Sequence, residues 1–549
     1  MSEFNALLVH KDNTPLKTQV EILEKFDTES FDFGNSDLDT YISQKFIPKL
    51  QQKEFNILFI KDNLSDNYLE LYGITLAYHI RLSNELGDKR FVPIVIISDV
   101  DGYILNKLVP MANILFTKNT FVARNEIASY DYFEKVFNQI KPFNDFKKEF
   151  LDLIHIDPPQ DYLSHHDITN EWSIYRWAEF LKVDTDATKA NKAKIENMLY
   201  FKYLKTLHEK DLHVEQKIVE ASKKGKVLLI DDEWAKGWAD ILKVALTKEG
   251  VEFKPFRTNY QDRDGFSDFT YKRIANENPD VVVLDLRLLE SDHENEDIDN
   301  YSGIKILQKI HEINAGIQVI MLTATSKSTI LEKLYEKKIL GYIKKEHPED
   351  KSIDTVENIN KFVRLVDRGL KRKFLKDIYL TKMNILSILE NDIFAQYGFE
   401  FEKYEPFWKK IIVEVEAVFD ILDSDRSNKF LYATVSIAVS IESILSVFIP
   451  NDREMVFWDG EAYNCEHNAL RCRIQKLFIK LGSNENFDMK VMIKKRNDYI
   501  HKKPVVVNEN EITLWFNKLR KMIEIIKNPL ELRIYKKGDL NNLINKFSY

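Results

Sequence analysis

Four short apolar runs in the middle of the chain each lead into residues able to take part in phosphoryl chemistry. Asp231, Asp232 and Glu233 follow Val227 to Ile230, Asp285 follows Val281 to Leu284, Thr323 follows Gln318 to Leu322, and Lys345 comes just after Gly341 to Ile343. Moving a phosphoryl group onto an aspartate requires a carboxylate nucleophile, a divalent cation to neutralise the phosphoryl oxygens, and a hydroxyl and an ammonium group to hold the product. These residue types supply every part, provided that the fold brings the ends of the four runs together.

A parallel sheet does so. Apolar runs of this kind, separated by amphipathic stretches, read as strands buried on both faces by helices, an α/β doubly wound fold. Such a sheet opens its crevice at the carboxyl ends of the strands, where all these residues stand.

The segments VLLIDDE, VVVLDLRL, VIMLTA and GYIKK, in this order, closely resemble the receiver family of two-component response regulators. The resemblance implies that Asp231, Asp232 and Asp285, with the backbone carbonyl of Arg287, hold Mg2+, a hard cation that prefers oxygen ligands. It implies that Asp285 takes the phosphoryl group from a histidine kinase or phosphotransfer protein. Thr323 and Lys345 are then expected to contact the group, and Tyr342 matches an aromatic that changes rotamer on activation. Two departures stand out. Glu346 replaces the proline that commonly follows the family lysine, which is expected to loosen the loop. An acidic insertion, Glu290 to Asn300, lengthens the loop after Asp285 and is expected to be solvated.

The N-terminal part echoes this pattern. Ala6 to His10, Asn56 to Ile60, Pro93 to Ser98 and Ile114 to Lys118 read as strands, with a helix around Gly73 to Leu86. The acidic pair is missing after the first of them, where Asp12 is the single carboxylate. A degenerate, non-phosphorylated receiver-like domain is expected, with Asp62 and Lys118 as remnants. A helical connector follows, in which His165, His166 and Asp167 suit capping and packing better than metal binding, because adjacent histidines point apart.

After Pro348 the periodicity is helical throughout. Ile353 to Glu390 reads as one long helix with Gly369 its weak point. Further helices are expected near Glu405 to Leu422, Phe430 to Phe448, His467 to Leu481, Met489 to Ile500 and Ile512 to Ile526. The fifth residue after Arg496 is His501, at the end of an apolar-faced helix. This resembles the HEPN superfamily, whose R-x4-6-H motif cuts RNA without metal. The resemblance implies that His501 moves a proton at the ribose 2'-hydroxyl or leaving oxygen and that Arg496 stabilises the charged phosphorane. At about 100° per residue the two side chains point roughly 140° apart on one helix, so a homodimer that pairs two motifs is expected. Asn497, one turn from His501, is placed to orient the imidazole. Lys494, Lys495, Lys502 and Lys503 would supply a basic surface for RNA.

A chain of 549 residues is too long for one core. The expected organisation is a receiver-like domain over 1–149, a connector over 150–222, a receiver over 223–352, a helical stalk over 353–404 and a HEPN-like effector over 405–549. The net charge of −8 excludes a global positive field for nucleic acid. Cys465 and Cys472, taken to share a helix face, are expected to be buried free thiols. Met1 to Asn5 does not resemble a signal peptide, and Phe430 to Pro450, carrying Glu442 and four serines, reads as a core helix and no membrane span. A cytoplasmic protein is expected. The competing class is a signalling or dimerisation protein whose helical domain binds a partner without chemistry. No helix-turn-helix or winged-helix signature supports a transcription factor.

Overall fold

The computed structural model describes residues 5–11, 27–67, 70–124, 130–159, 165–208, 219–220, 222–246, 250–256, 263–293, 297–325, 328–350, 354–393, 401–449, 455–457, 460–465, 469–484 and 487–527. The first sheet contains β1 (Ala6–His10), β2 (Asp27–Ser30), β3 (Ile57–Lys61), β4 (Ile94–Ile97) and β5 (Thr120–Ala123), all parallel in the order β2-β1-β3-β4-β5. Helix α1 (Tyr72–Leu82) follows β3. The expected strand at Ile114 to Lys118 is corrected: Pro110–Phe116 is a 3-10 turn, and the edge strand is Thr120–Ala123. Asp12 lies outside the described residues.

Helices α2 (His165–Leu181), α3 (Asp186–Asn197) and α4 (Leu199–His208) follow and pack into the core of the first sheet. The second sheet then repeats the topology of the first. Its elements are β6 (Gly225–Ile230), α5 (Trp238–Ala245), β7 (Val251–Pro255), α6 (Arg263–Glu277), β8 (Val281–Asp285), α7 (Ser302–Asn314), β9 (Gln318–Thr323), α8 (Ser328–Glu336), β10 (Gly341–Lys344) and α9 (Thr355–Lys371). The strand order is β10-β9-β8-β6-β7, all parallel. Successive side chains on a strand face opposite sides, so each strand feeds two cores. Leu228, Ile230, Val282, Leu284 and Met321 enter one, and Val227, Leu229, Val283, Ile320 and Ile343 enter the other.

Helix α2 serves two domains. Its Ile168, Trp172 and Tyr175 pack into the core of the first sheet, while its Ile174, Trp177 and Ala178 join Trp238, Ile241, Phe362 and Val366 beside the second.

The long helix expected over Ile353 to Glu390 is broken. α9 ends at Lys371 and α10 (Phe374–Ser387) begins three residues later, because each half is committed to a different core. Ile359, Phe362 and Val366 pack on the second sheet, whereas Leu375, Ile378 and Ile385 belong to a separate helical core. Gly369 is not the weak point. A β-carbon there would stand 2.7 Å from Val281 Cγ2, so it is a close-packing position inside α9.

The remaining helices, α11 (Phe401–Asp423), α12 (Lys429–Phe448), α13 (Leu470–Lys480), α14 (Lys490–Ile500) and α15 (Glu509–Lys527), share one core with α10. α12 is long and apolar enough to cross a membrane, but 67% of its apolar window is buried by its neighbours. The expectation of free thiols is overturned: Cys465 and Cys472 form a disulfide. They do not share a helix, because α13 starts only at Leu470 and Cys465 lies in the segment leading to it.

Candidate functional site

At the carboxyl ends of β6 and β8, Asp231, Asp232 and Asp285 each offer a carboxylate oxygen within 4.8 Å of the others. The strands place them there because β6 pairs with β8 in parallel register, Ile230 opposite Leu284, so the following aspartates come side by side. Asp231 and Asp285 are buried; Asp232 stands at the open mouth. Lys345, also buried, reaches down from the end of β10 and places Nζ 2.7 Å from Asp285 Oδ2 and 3.2 Å from Asp231 Oδ2. The ring of Trp238 lies 5.4 Å from the ammonium group.

The electrostatics are those of crowded acids. Burial raises the Asp231 carboxyl to about 6, against the lowering charge of Lys345 and with a smaller push from the charge of Asp285. Asp232 is exposed as a residue, but its carboxyl faces the cluster; desolvation, followed by the charges of Asp231 and Asp285, raises it to about 8. Burial works against charge on Lys345, yet the carboxylates of Asp231, Asp285 and Glu233 outweigh it and push its pKa up. A set of hard oxygens whose negative charges are mutually destabilised fits Mg2+. Among the described residues this is the only acidic cluster of its kind.

Thr323 closes β9, buried, with Oγ1 accepting from the Thr325 amide at 3.1 Å. The side chain of Arg287 turns aside to Tyr301, donating to its hydroxyl at 3.1 Å. Tyr342 is half-buried, with Lys361 Nζ 4.6 Å from its ring.

Two expectations about the loops change. The loop after Asp285 is anchored, because buried Asp292 accepts through Oδ2 from the amides of Leu288 at 3.0 Å and Leu289 at 3.2 Å and through Oδ1 from that of Ser302 at 3.1 Å. One acid of an acidic run thus serves as an internal staple. The loop after Lys345 is tightened by Glu346. The Lys345–Glu346 peptide is trans, and the Glu346 carboxylate accepts from Trp177 Nε1 at 2.7 Å and Thr355 Oγ1 at 2.7 Å. Glu346 depends on Trp177, brought in from a distant segment, whereas Asp292 bonds the amides of Leu288 and Leu289 within its own loop and that of Ser302 where the loop ends.

The first sheet shows what is lost when the acids are absent. Lys61, the last residue of β3, takes the place that Asp285 has at the end of β8, and Asp62, one residue further on, has Lys61 Nζ at 3.2 Å and the hydroxyl of Ser98 as its neighbours. Lys118 is not part of this group; it pairs with Glu149 at 2.8 Å. His165, His166 and Asp167 all lie in the first turn of α2.

In the helical domain, Arg496 Nη2 donates to Glu442 Oε1 at 3.0 Å, joining α14 to α12, and Nη1 donates to Asn497 Oδ1 at 3.1 Å. His501 caps α14 and is exposed. The Asn497 side chain therefore serves Arg496, and its bond to His501 runs through the backbone, from the His501 amide to the Asn497 carbonyl at 3.0 Å. Lys495 is tied to Glu511, while Lys494, Lys502 and Lys503 are exposed.

Comparison with known proteins matches residues 14–123 to the inactive receiver domain and residues 227–357 to the response regulator receiver domain. No curated protein matches the chain. Among solved structures, a two-component response regulator of the LuxR family from Aurantimonas sp. SI85-9A1 is 19% identical, covering 27% of this chain and 86% of its own at a TM-score of 0.20. A chain described as a two-component system response regulator/ggdef domain protein is 10% identical, covering 66% of this chain and 99% of its own at a TM-score of 0.19. The chain thus carries a response regulator receiver domain of two-component signalling, preceded by an inactive receiver domain.

Proposed function

We propose that the central receiver accepts a phosphoryl group on Asp285 and thereby controls a C-terminal HEPN-like domain that cuts RNA without a metal. The observation that carries the first half is the convergence of Lys345 on Asp285, 2.7 Å apart, beside two further aspartates. Asp285 attacks the phosphorus of a phosphohistidine on a histidine kinase or phosphotransfer protein; the new O–P bond forms as the P–N bond breaks and the imidazole leaves. Asp231, Asp232 and Asp285, with the carbonyl of Arg287, would hold Mg2+, which neutralises the phosphoryl oxygens. Lys345 and the Thr323 hydroxyl then hold the product.

The proposed division is a receiver-like domain over 1–149, a connector over 150–222, the receiver over 223–352, a linking helical region over 353–404 and the effector over 405–549, in a cytoplasmic homodimer. In the effector, His501 moves the proton and Arg496 stabilises the phosphorane. The exposure of His501 at the end of α14 supports this reading. A second reading, a dimerisation module without chemistry, is favoured by the engagement of Arg496 with Glu442 at 3.0 Å, an ordinary interhelical ion pair. Incubation of the full chain with structured RNA, with and without Mg2+ and beryllofluoride, separates them. Cleavage that is lost in His501→Ala and altered by beryllofluoride establishes the nuclease, whereas its absence in both states leaves the receiver reading standing and favours the interaction module.

A further inference from the structure

The connector helix grips both loops that frame the acceptor site. On one side, Ser173 Oγ donates to the Glu346 carbonyl at 3.0 Å and accepts from the Glu346 amide, and Trp177 Nε1 donates to the Glu346 carboxylate at 2.7 Å. Both groups are buried, and Glu346 adjoins Lys345 in sequence. On the other side, Asn170 Oδ1 accepts from Trp238 Nε1 at 2.6 Å, and a β-carbon at Gly237 would meet Ile174 Cγ2 at 3.0 Å. Trp177 and Trp238 pack edge to face, with ring centres 5.5 Å apart. The second of these indoles lies 5.4 Å from the Lys345 ammonium group.

We infer that α2 is a positioning element of the acceptor site, in which Ser173 and Trp177 hold the Lys345–Glu346 peptide where Lys345 meets Asp285, and through which the inactive receiver senses the phosphoryl state of the active one. This rests on the reading of Asp285 as the acceptor.

The argument is one of degrees of freedom. When Asp285 carries a phosphoryl group, the partner of Lys345 changes from a carboxylate to more distant phosphoryl oxygens. A loop with free backbone groups would absorb that change. Here the amide and carbonyl of Glu346 are both bonded to one hydroxyl of α2, and its carboxylate is held as well. The displacement therefore passes to α2, whose opposite face carries Ile168, Trp172 and Tyr175 into the core of the first sheet. Coupling of this kind is reciprocal: whatever α2 imposes on Lys345, the state of Lys345 imposes on α2. An inactive receiver that shares this helix acts as a clamp on its neighbour without any phosphorylation of its own.

The test uses the full chain. Amide hydrogen exchange over residues 165–181 is followed with and without Mg2+ and beryllofluoride, and the lifetime of the phosphoryl group after labelling with acetyl phosphate is measured in wild type, Ser173→Ala and Trp177→Phe. The expected results are a change in exchange across 165–181 in the unmodified chain and a phosphoryl lifetime altered about two- to tenfold in the folded variants, the range set by one buried hydrogen bond. Wild type that labels while exchange over 165–181 stays fixed and both variants keep its lifetime overturns this inference alone. Wild type that takes no label overturns the acceptor reading together with it. The exchange measurement needs no variant, so a substitution that fails to fold does not rescue the idea.

Discussion

Gly303 lies so close to the backbone of Asp285 that a β-carbon there would stand 2.3 Å from the Asp285 carbonyl oxygen. The inactive sheet repeats this contact, since a β-carbon at Gly73 would stand 2.1 Å from the Lys61 carbonyl oxygen and 2.9 Å from that of Asp62. In both sheets the helix after the third strand starts pressed against that strand's end. Gly303→Ala should therefore cost about 1–3 kcal/mol of stability through overpacking and displace Asp285. Chemical denaturation and acetyl phosphate labelling check both parts; labelling at the wild-type rate would show that the contact relaxes without touching the acceptor.

Metal binding should depend on pH in a defined direction. Without metal, Asp231 and Asp232 are raised to about 6 and about 8, so ligation must expel protons. Mg2+ affinity should rise as pH goes from 6 to 8, with proton release visible by calorimetry in buffers of different ionisation enthalpy. The same shifts make the metal-free fold lose stability as pH rises through these values, because the folded state holds the protons more tightly than the unfolded chain. Added Mg2+ should reverse that loss. An affinity that is flat across this range would contradict the acidic-cluster account.

Glu346 offers a separate pH test away from the metal ligands. Burial raises its pKa, against the bonds from Thr355, Trp177 and Asn358 and the charge of Arg176. A raised folded pKa means that its contribution to stability is complete below the unfolded value and is lost as pH rises through the folded one. Glu346→Gln keeps an acceptor for Trp177 and carries no charge, so its denaturation midpoint should fall less with rising pH than that of wild type. Parallel pH profiles for the two proteins would refute the assignment.

In the C-terminal helical domain, the residues proposed for RNA cleavage differ in what their loss does to the fold. His501 is exposed, so His501→Ala should change stability by no more than about 0.5 kcal/mol while lowering any RNA cleavage by about 10²- to 10⁴-fold. Glu442→Ala frees Arg496 from its 3.0 Å partner. It should weaken the α12–α14 seam by about 0.2–1 kcal/mol, as for a partly exposed ion pair. Cleavage unchanged in His501→Ala at equal stability would remove the catalytic role.

The acidic site is legible in the sequence because its parts sit at the ends of wholly apolar strands, where position along a strand fixes position in space. Asp231, Asp285 and Lys345 come together at those ends, and Thr323 ends the neighbouring strand. What stayed hidden depends on how a loop closes, either on a distant segment or on its own backbone. Glu346 looks like a lost proline until Trp177 and Ser173 arrive from α2, and Asp292 looks like one of several solvated acids until the amides of Leu288, Leu289 and Ser302 close on it. The break between Lys371 and Phe374 carries no glycine or proline; two competing cores impose it. The seven-residue spacing of Cys465 and Cys472 mimics two turns of helix, which conceals the disulfide because the helix begins only at Leu470. The edge strand of the first sheet was misplaced because Ile114 to Phe116 is more apolar than the short strand that follows.

The most direct test of the central claim is to treat the full chain with acetyl phosphate and Mg2+ and locate the added phosphoryl group by mass spectrometry, with Asp285→Asn alongside. The account predicts a single Mg2+-dependent, base-labile phosphoryl group on Asp285, absent from Asp285→Asn. Labelling that persists in Asp285→Asn, or a wild-type chain that takes none, would contradict it.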